Sequence, residues 1–321
     1  MKAAQLTARP LVIVNPASAG GRTHGIWARI ASELVRNFGP FDCSFTDRPG
    51  DALRLSFEAA NAGCELVIAC GGDGTISEVA NGIITSGVDV ELGVLPSGTG
   101  GDFRRSLEIS SRPADAARVL KEGKRRRMDV GRVSYIGNSG KEESRYFVGV
   151  ASFGMSGEVI ERVKKEESPW LAALPGRWLG GKAAFARAML ETTISSAPRE
   201  VVVTIDQSGG RVIKVVNFCV ANAKFFGGGM KVAPNAVIDD GYFDVIEIGD
   251  LSSLQILLNS PRLYAGAHLS MEEVANQHAR TVTARALNPS EMIPLEVDGE
   301  LPGNLPAKFE IVPGALSIRC R

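Results

Sequence analysis

Histidine is scarce in this sequence of 321 residues, occurring only at positions 24, 268 and 278. His24, His268 and His278 stand at no metal-ligand spacing from one another and read as surface or helix residues. Cysteine is sparse as well: Cys43, Cys64, Cys70, Cys219 and Cys320 are scattered without a CxxC pair. Three of them lie in apolar runs, the pattern of reduced structural thiols in a cytosolic protein. Neither sign of charge prevails, with 36 Lys and Arg against 36 Asp and Glu. That balance argues against a nucleic-acid binder held by bulk charge. No apolar run approaches the roughly 18 residues of a membrane span, and Met1 to Pro10 lacks the apolar segment of a signal peptide. The chain reads as soluble or at most peripheral to a membrane. The familiar phosphate loops are missing too. There is no GxxxxGK(S/T), no HRD–DFG set and no GxGxxG opening a helix after the first strand. A P-loop NTPase, a protein kinase and a dinucleotide-binding fold are all disfavoured.

What is present centres on Leu66-Val67-Ile68-Ala69-Cys70-Gly71-Gly72-Asp73-Gly74-Thr75. An apolar run ends in glycines, and Ile76, Val79, Ala80, Ile83 and Ile84 then recur at helical spacing. The stretch predicts strand, glycine turn and helix, with Thr75 as N-cap and Glu78 completing a capping box. Glycines allow close backbone approach, and free N–H groups at a helix start favour an anion such as phosphate. Asp73 beside an anion calls for a cation between them, which a magnesium-nucleotide supplies. A tight turn of any α/β fold is the plainer alternative.

Similar units surround it. Leu11 to Val14 predicts a buried strand ending in Asn15-Pro16-Ala17-Ser18-Ala19-Gly20-Gly21-Arg22, followed by a helix carrying Ile26, Ile30, Leu34 and Phe38 on one face. Phe41, Cys43 and Phe45 alternate as a strand ending near Thr46. Asp51 to Ala62 reads as a helix. Leu92 to Leu95 reads as a strand leading into Pro96-Ser97-Gly98-Thr99-Gly100-Gly101-Asp102-Phe103. Strands alternating with helices predict a mainly parallel sheet, with ligands beyond the carboxyl ends of its strands. From about residue 128, after Arg125-Arg126-Arg127, strands follow strands. Arg145 to Val150, Val201 to Ile205, Val212 to Ala221, Tyr242 to Ile248, Thr281 to Ala286 and Ile293 to Val297 are β-rich. Turns are expected at Asn138-Ser139-Gly140 and Ser208-Gly209-Gly210. A helical insertion spans about Glu158 to Ser196. It sets Trp170, Leu171, Leu174, Trp178, Leu179 and Phe185 among basic residues, as a membrane interface or a packed helical lid would. Two later clusters are equally open. Gly227-Gly228-Gly229 before Met230-Lys231 reads as a close backbone approach or as a loop. Asp298-Gly299-Glu300 reads as a turn, or as a place where a carboxylate takes a proton from an attacking hydroxyl.

In this order the motifs resemble the diacylglycerol kinase catalytic-domain family, the lipid kinases that include sphingosine and ceramide kinases. The ordered set is Asn15-Pro16 with Ser18, Gly71 to Thr75, Gly98-Thr99, Gly227 to Gly229, Asp240-Gly241 and Asp298 to Glu300. The resemblance implies a nucleotide-binding N-terminal α/β domain (1–127), with 307–321 packing back on it. It also implies a C-terminal antiparallel β-sandwich (128–306) that takes the substrate. Asn15, Pro16, Ala17, Ser18, Ala19, Thr46, Gly71, Gly72, Asp73, Gly74, Thr75, Ile76, Ser77 and Thr99 would hold ATP. Asp73 would act through Mg2+, Glu300 as general base, and Asp102 in orienting the acceptor hydroxyl. Asp240 with the carbonyls of Val237 and Tyr242 matches a structural magnesium site. Two positions depart from the family pattern. Gly101 replaces an Asn, and Ser77 replaces another. The expectation is an ATP-dependent lipid kinase, peripheral to the cytoplasmic membrane face, with a lipid substrate, no nucleic-acid partner and homodimerisation left open. An NAD-kinase-like enzyme with a soluble acceptor and an inactive nucleotide- or lipid-binding regulator are the alternatives.

Overall fold

The structure is a computed structural model that describes residues 9–98, 100–166 and 181–321, with backbone alone for 164–166 and 181–186. The chain divides into two units, Met1–Asp129 with Gly314–Arg321, and Val130–Pro313.

In the first unit the apolar runs become parallel strands β1 (Leu11–Val14), β2 (Asp42–Phe45), β3 (Leu66–Gly71) and β4 (Glu91–Pro96). Helices α1 (Arg22–Asn37), α2 (Asp51–Asn61), α3 (Asp73–Ser86), α4 (Asp102–Ser106) and α5 (Pro113–Glu122) connect or follow them. Val12 to Val14 and Val67 to Cys70 have no exposed surface. Strands covered on both faces read as continuous apolar runs, which is why these were legible. β1 pairs with β2 and β3, and β3 with β4, all in parallel. β2 is the edge, and there the alternation does not mark burial: Cys43 and Phe45 are exposed. Phe41 and Phe45 instead meet Trp27 edge-on, at 6.3 and 5.8 Å between ring centroids. α2 and α3 pack closely through Gly82, where a Cβ would lie 2.0 Å from Ser56 Oγ.

A fifth parallel strand comes from far along the chain. The end of β15 (Glu300–Cys320) pairs with β4 at Ser317 and Ile318. Arg319 fixes it, donating to both carboxylate oxygens of Glu91 at 2.7 and 2.9 Å and to the Leu120 carbonyl at 3.1 Å. The Arg125 to Arg127 run opens β5 (Lys124–Gly137), and both Arg125 and Arg127 pair with Asp89.

The second unit is an antiparallel β-sandwich. One row of strands runs β12 (Val274–Ala279), β11 (Phe243–Ile248), β10 (Asn217–Ala221), β7 (Val150–Gly154), β14 (Pro294–Val297) and β15. β15 also pairs with β13 (Thr281–Ala286), β13 with β8 (Arg199–Ile205), and β8 with β9 (Arg211–Val215). β5 pairs with β6 (Glu142–Phe147). The turns at 138–140 and 208–210 join β5 to β6 and β8 to β9. The β-rich run Val212 to Ala221 holds two strands, because β9 and β10 take different neighbours on either side of Val216. Between the sheet faces lie Phe153 stacked on Phe218 at 4.9 Å, and Phe147 on Phe243 at 5.6 Å.

Helices α6 (Met155–Glu166), α7 (Gly181–Ser195) and α8 (Ser253–Ala265) belong to this unit. The cluster Trp170, Leu171, Leu174, Trp178 and Leu179 lies outside the described residues, as does the Phe185 side chain. Among the described residues no helix is long and apolar enough to cross a membrane. His268 departs from the surface reading. It is buried on a one-turn helix, Nε2 meets the Val232 carbonyl at 2.9 Å, and burial lowers its pKa.

Phe218→Ala should lower the unfolding free energy by about 3–5 kcal/mol, the cost of emptying a packed aromatic site. A denaturant titration should show the midpoint falling.

Candidate active site

The strand order β2-β1-β3-β4 reverses direction at β1, so the loops leaving β1 and β3 diverge and open a crevice beyond the strand ends. Both loops are tied down. Asn15 donates its side-chain amide to Thr75 Oγ1 at 3.0 Å and accepts the Ala17 N–H at 3.0 Å. Ser18 Oγ donates to the carbonyls of Asn15 and Ser97 at 2.8 and 3.0 Å and lies 2.6 Å from Thr23 Oγ1. Thr23 Oγ1 is in turn 2.6 Å from Ser97 Oγ. Thr23 and Ser97 thus join the β1 and β4 loops, a role the sequence reading missed. A threonine one residue inside α1 was the only signal. Pro16 and Ala17 form the turn above. Ala19, Gly20 and Gly21 all have positive φ, at 56°, 67° and 84°. A left-handed alanine costs strain that the surrounding bonds must hold. Thr46 is buried, and its N–H extends the β2 pairing onto Val14 at 2.9 Å.

The glycines of β3 meet those of β4. A Cβ on Gly98 would stand 2.5 Å from Gly72 Cα, so the two loops touch backbone to backbone. α3 starts at Asp73 with extended Gly72 as N-cap and no side-chain cap. This corrects the capping box. Thr75 is the third helical residue, buried against Gly71 and bonded to Asn15, so it cannot cap. Glu78 instead accepts the N–H groups of Gly50 and Ala52 at 3.0 and 3.1 Å, capping α2. Helix geometry leaves the first N–H groups of α3, over Asp73, Gly74 and Thr75, without intrahelical acceptors. Ile76 and Ser77 are buried behind them.

Asp73 turns away from that start. Its Oδ2 accepts the N–H groups of Gly101 and Asp102 at 2.8 and 3.1 Å, and its Oδ1 that of Phe103 at 3.1 Å. These bonds close the loop into α4, where Gly101 sits at φ 70°. Asp102 pairs with Arg105 at 2.6 Å. A carboxylate holding three amides is a poor preformed cation ligand. Among the described residues no cluster of three His, Cys, Asp or Glu could hold a metal. Thr99 lies outside the described residues.

In the second unit Val297 and Glu300 flank a two-residue hairpin turn, Asp298 at φ 48° and Gly299 at φ 85°. Asp-Gly is the residue pair this mirror-image turn favours. Asp298 accepts the N–H groups of Val148 and Gly149 at 3.0 and 2.9 Å, and Glu300 is exposed at the start of β15. Behind the turn Glu296 is buried, and burial pushes its carboxyl up to about 8. Gly227 to Gly229, all with positive φ, form a loop closed by paired backbone bonds between Phe226 and Met230 at 2.9 and 3.0 Å. Val237, Asp240 and Tyr242 lie on the loop before β11, where Asp240 Oδ1 accepts the Tyr242 N–H at 3.0 Å. One carboxylate with backbone carbonyls is the hard-oxygen donor set magnesium takes alongside waters.

A cavity in this unit was not legible from the sequence. An apolar cavity opens among α6, α7, α8 and the sheet, walled by Val159, Met189, Phe226, Met230, Leu263 and Met271. α8 contains no buried residue and carries Leu254 and Leu258 at 65% and 69% exposure.

Comparison with known proteins bears on both units. The diacylglycerol kinase catalytic domain model matches residues 9–133, and the YegS C-terminal NAD kinase beta sandwich-like domain model matches 170–320. A diacylglycerol kinase of Staphylococcus carnosus is 30% identical over 303 residues, 94% of this chain and 91% of that protein. One of Mycobacterium tuberculosis is 28% identical over 269 residues, 84% and 81% of the two chains. In fold, the chain is similar to a diacylglycerol kinase structure from Bacillus anthracis, with TM-score 0.66, 20% identity and coverage of 98% and 97%. It is also similar in fold to an NAD kinase from Archaeoglobus fulgidus in complex with ATP, with TM-score 0.50, 13% identity and coverage of 97% and 93%.

Asp73→Asn replaces one acceptor oxygen with a donor facing N–H groups. Amide exchange at residues 101–103 should accelerate roughly tenfold or more without any nucleotide present, the loss of about one hydrogen bond. Unchanged exchange would show that Asp73 does not hold this loop.

Proposed function

Because the chain belongs to the diacylglycerol kinase catalytic-domain family, we propose that it transfers the γ-phosphate of ATP to the hydroxyl of a diacylglycerol-like lipid. The observation that carries the lipid part is the apolar cavity of the second unit. A hydrocarbon chain entering it gains about 0.8 kcal/mol for each methylene buried. The sugars and phosphates of a soluble dinucleotide would find almost no polar partner on the same walls. The exposed leucines of α8 support contact with a membrane surface at the cytoplasmic face.

In this reading ATP, arriving as its magnesium complex, is held by Asn15 to Ala19, Thr46, Gly71 to Ser77 and Thr99. The amides at the start of α3 and the glycine backbone take the phosphates, where fixed dipoles stabilise charge as it develops. Asp73 keeps the loop into α4 in place, and Asp102 on that loop orients the acceptor hydroxyl. Glu300 accepts the hydroxyl proton as the oxygen attacks the γ-phosphorus. Val237, Asp240 and Tyr242 would hold a structural magnesium ion, which supplies charge and rigidity to their loop.

A transfer assay with labelled magnesium-ATP and mixed micelles of diacylglycerol, ceramide, sphingosine or phosphatidylglycerol tests this, with NAD as soluble control. Label is expected in diacylglycerol. Label confined to NAD would transfer the chain to a soluble acceptor, and ATP binding without transfer would make it a regulator. Glu300→Gln should reduce turnover by about 10²-fold or more while leaving ATP binding intact.

A further inference from the structure

Glu296 has no part in the chemistry above, yet it is among the most deeply buried carboxyls of the protein. The alternation Leu295-Glu296-Val297 places it on the opposite face from the aromatic core. Strand register aligns it with Ser152 on β7 and Cys219 on β10, a row across three strands. All three side chains are closed off from solvent. Its Oε1 accepts the Gly299 N–H at 2.6 Å, and Ser152 Oγ donates to its Oε2. Ser152 Oγ lies 2.8 Å from Ser156 Oγ, and the Ser156 N–H donates to Asn217 Oδ1 at 2.9 Å. Ser156 and Asn217 both line the apolar cavity.

We propose that Glu296 is a positioning residue: it clamps the Asp298-Gly299-Glu300 turn through the Gly299 N–H and ties that turn, through Ser152 and Ser156, to the cavity wall. Its catalytic consequence rests on the reading of Glu300 as the base; the clamp itself does not. The turn has a two-residue loop with both residues at positive φ. Asp298 anchors one side of it on Val148 and Gly149, and Glu296 anchors the other. A chain seated in the cavity presses on the first turn of α6, where Ser156 lies. The same row of hydrogen bonds carries that displacement to Glu300.

The clamp's bonds survive protonation, but the stability of the fold around them depends on it. The groups acting on Glu296 are Asp298 from its own turn, which favours the proton, and Arg145 from β6, which opposes it. Cys219 on β10 stays a thiol, its own pKa pushed up to about 12, while β7 and α6 contribute only the hydroxyls of Ser152 and Ser156. Burial outweighs them and pushes the Glu296 carboxyl to about 8. When the acid is neutral, its proton lies between Oε2 and Ser152 while Oε1 keeps Gly299. A folded-state pKa above the unfolded value means the native state binds the extra proton. Stability therefore falls as pH rises from the ordinary carboxyl range to about 8. A glutamine reproduces the neutral acid, accepting from Gly299 and donating to Ser152.

The test uses the full chain and two readouts, Gly299 amide exchange and steady-state transfer. Glu296→Gln should keep Gly299 protected and remove the decline in melting temperature between about pH 5 and 8 that is expected of the native chain. Glu296→Ala should raise Gly299 exchange by roughly tenfold or more, the loss of one buried hydrogen bond. It should also lower kcat with KM for ATP unchanged. If that variant fails to fold, Ser152→Ala, which cuts the link to α6 and leaves the carboxyl in place, decides the point. It should make turnover less dependent on acyl-chain length. Protection of Gly299 unchanged in Glu296→Ala, or chain-length dependence unchanged in Ser152→Ala, would overturn the proposal. If no lipid is phosphorylated, the exchange and melting data still decide the clamp, and the kinase reading fails separately.

Discussion

The hydrogen bond from a backbone N–H to a carboxylate on another element recurs at the loops that define this protein. Asp73 on α3 holds the start of α4, and Glu78, one turn and a half along the same helix, holds the start of α2. Asp298 joins a hairpin tip to the β6–β7 junction, and Asp129 takes the N–H of Gly314. Helix starts and tight turns leave donors that their own geometry cannot satisfy. An ionised acceptor makes a stronger bond to them than a neutral one does. The loops are in this way fixed by partners distant in sequence, and the start of α3 has an extended glycine where a capping side chain could stand.

That arrangement explains which features could be read from the sequence. β1, β3 and β4 were legible because burial on both faces leaves uninterrupted apolar runs, and a glycine turn after each marks the edge where loops gather. The non-local half of each cap was not legible. Thr75 and Glu78 have capping-box spacing, but Gly71 draws the threonine under the strand end and frees the glutamate for α2. Glu296 occupies the polar position of an alternating Leu-Glu-Val strand, a pattern that by itself points to solvent. It is polar, but α6 covers that face, and a helix contributed from elsewhere leaves no mark on the strand itself. His268 misled for the same reason, since its burial depends on the Val232 segment.

The two faces of the second unit's sheet are filled differently. One is a dense aromatic core with stacked phenylalanines. The other has smaller buried residues, Cys219, Ala221 and Val150, and on that side an apolar cavity lies among the helices. Native cores seldom leave room larger than a water molecule, so this apolar volume is where the proposed hydrocarbon chain would lie.

The strand ending at Cys320 has a consequence for how the molecule is made. Four of the five parallel strands of the first unit have been synthesised by residue 96, whereas the fifth pairs at Ser317 and Ile318. At typical elongation of about 5–20 residues per second, that strand lags by roughly 10–45 s. During the interval Glu91 lacks Arg319, and the outer edge of β4 presents unpaired backbone. A nascent chain in that state is a sheet waiting for its last strand, vulnerable to any other strand that reaches it first.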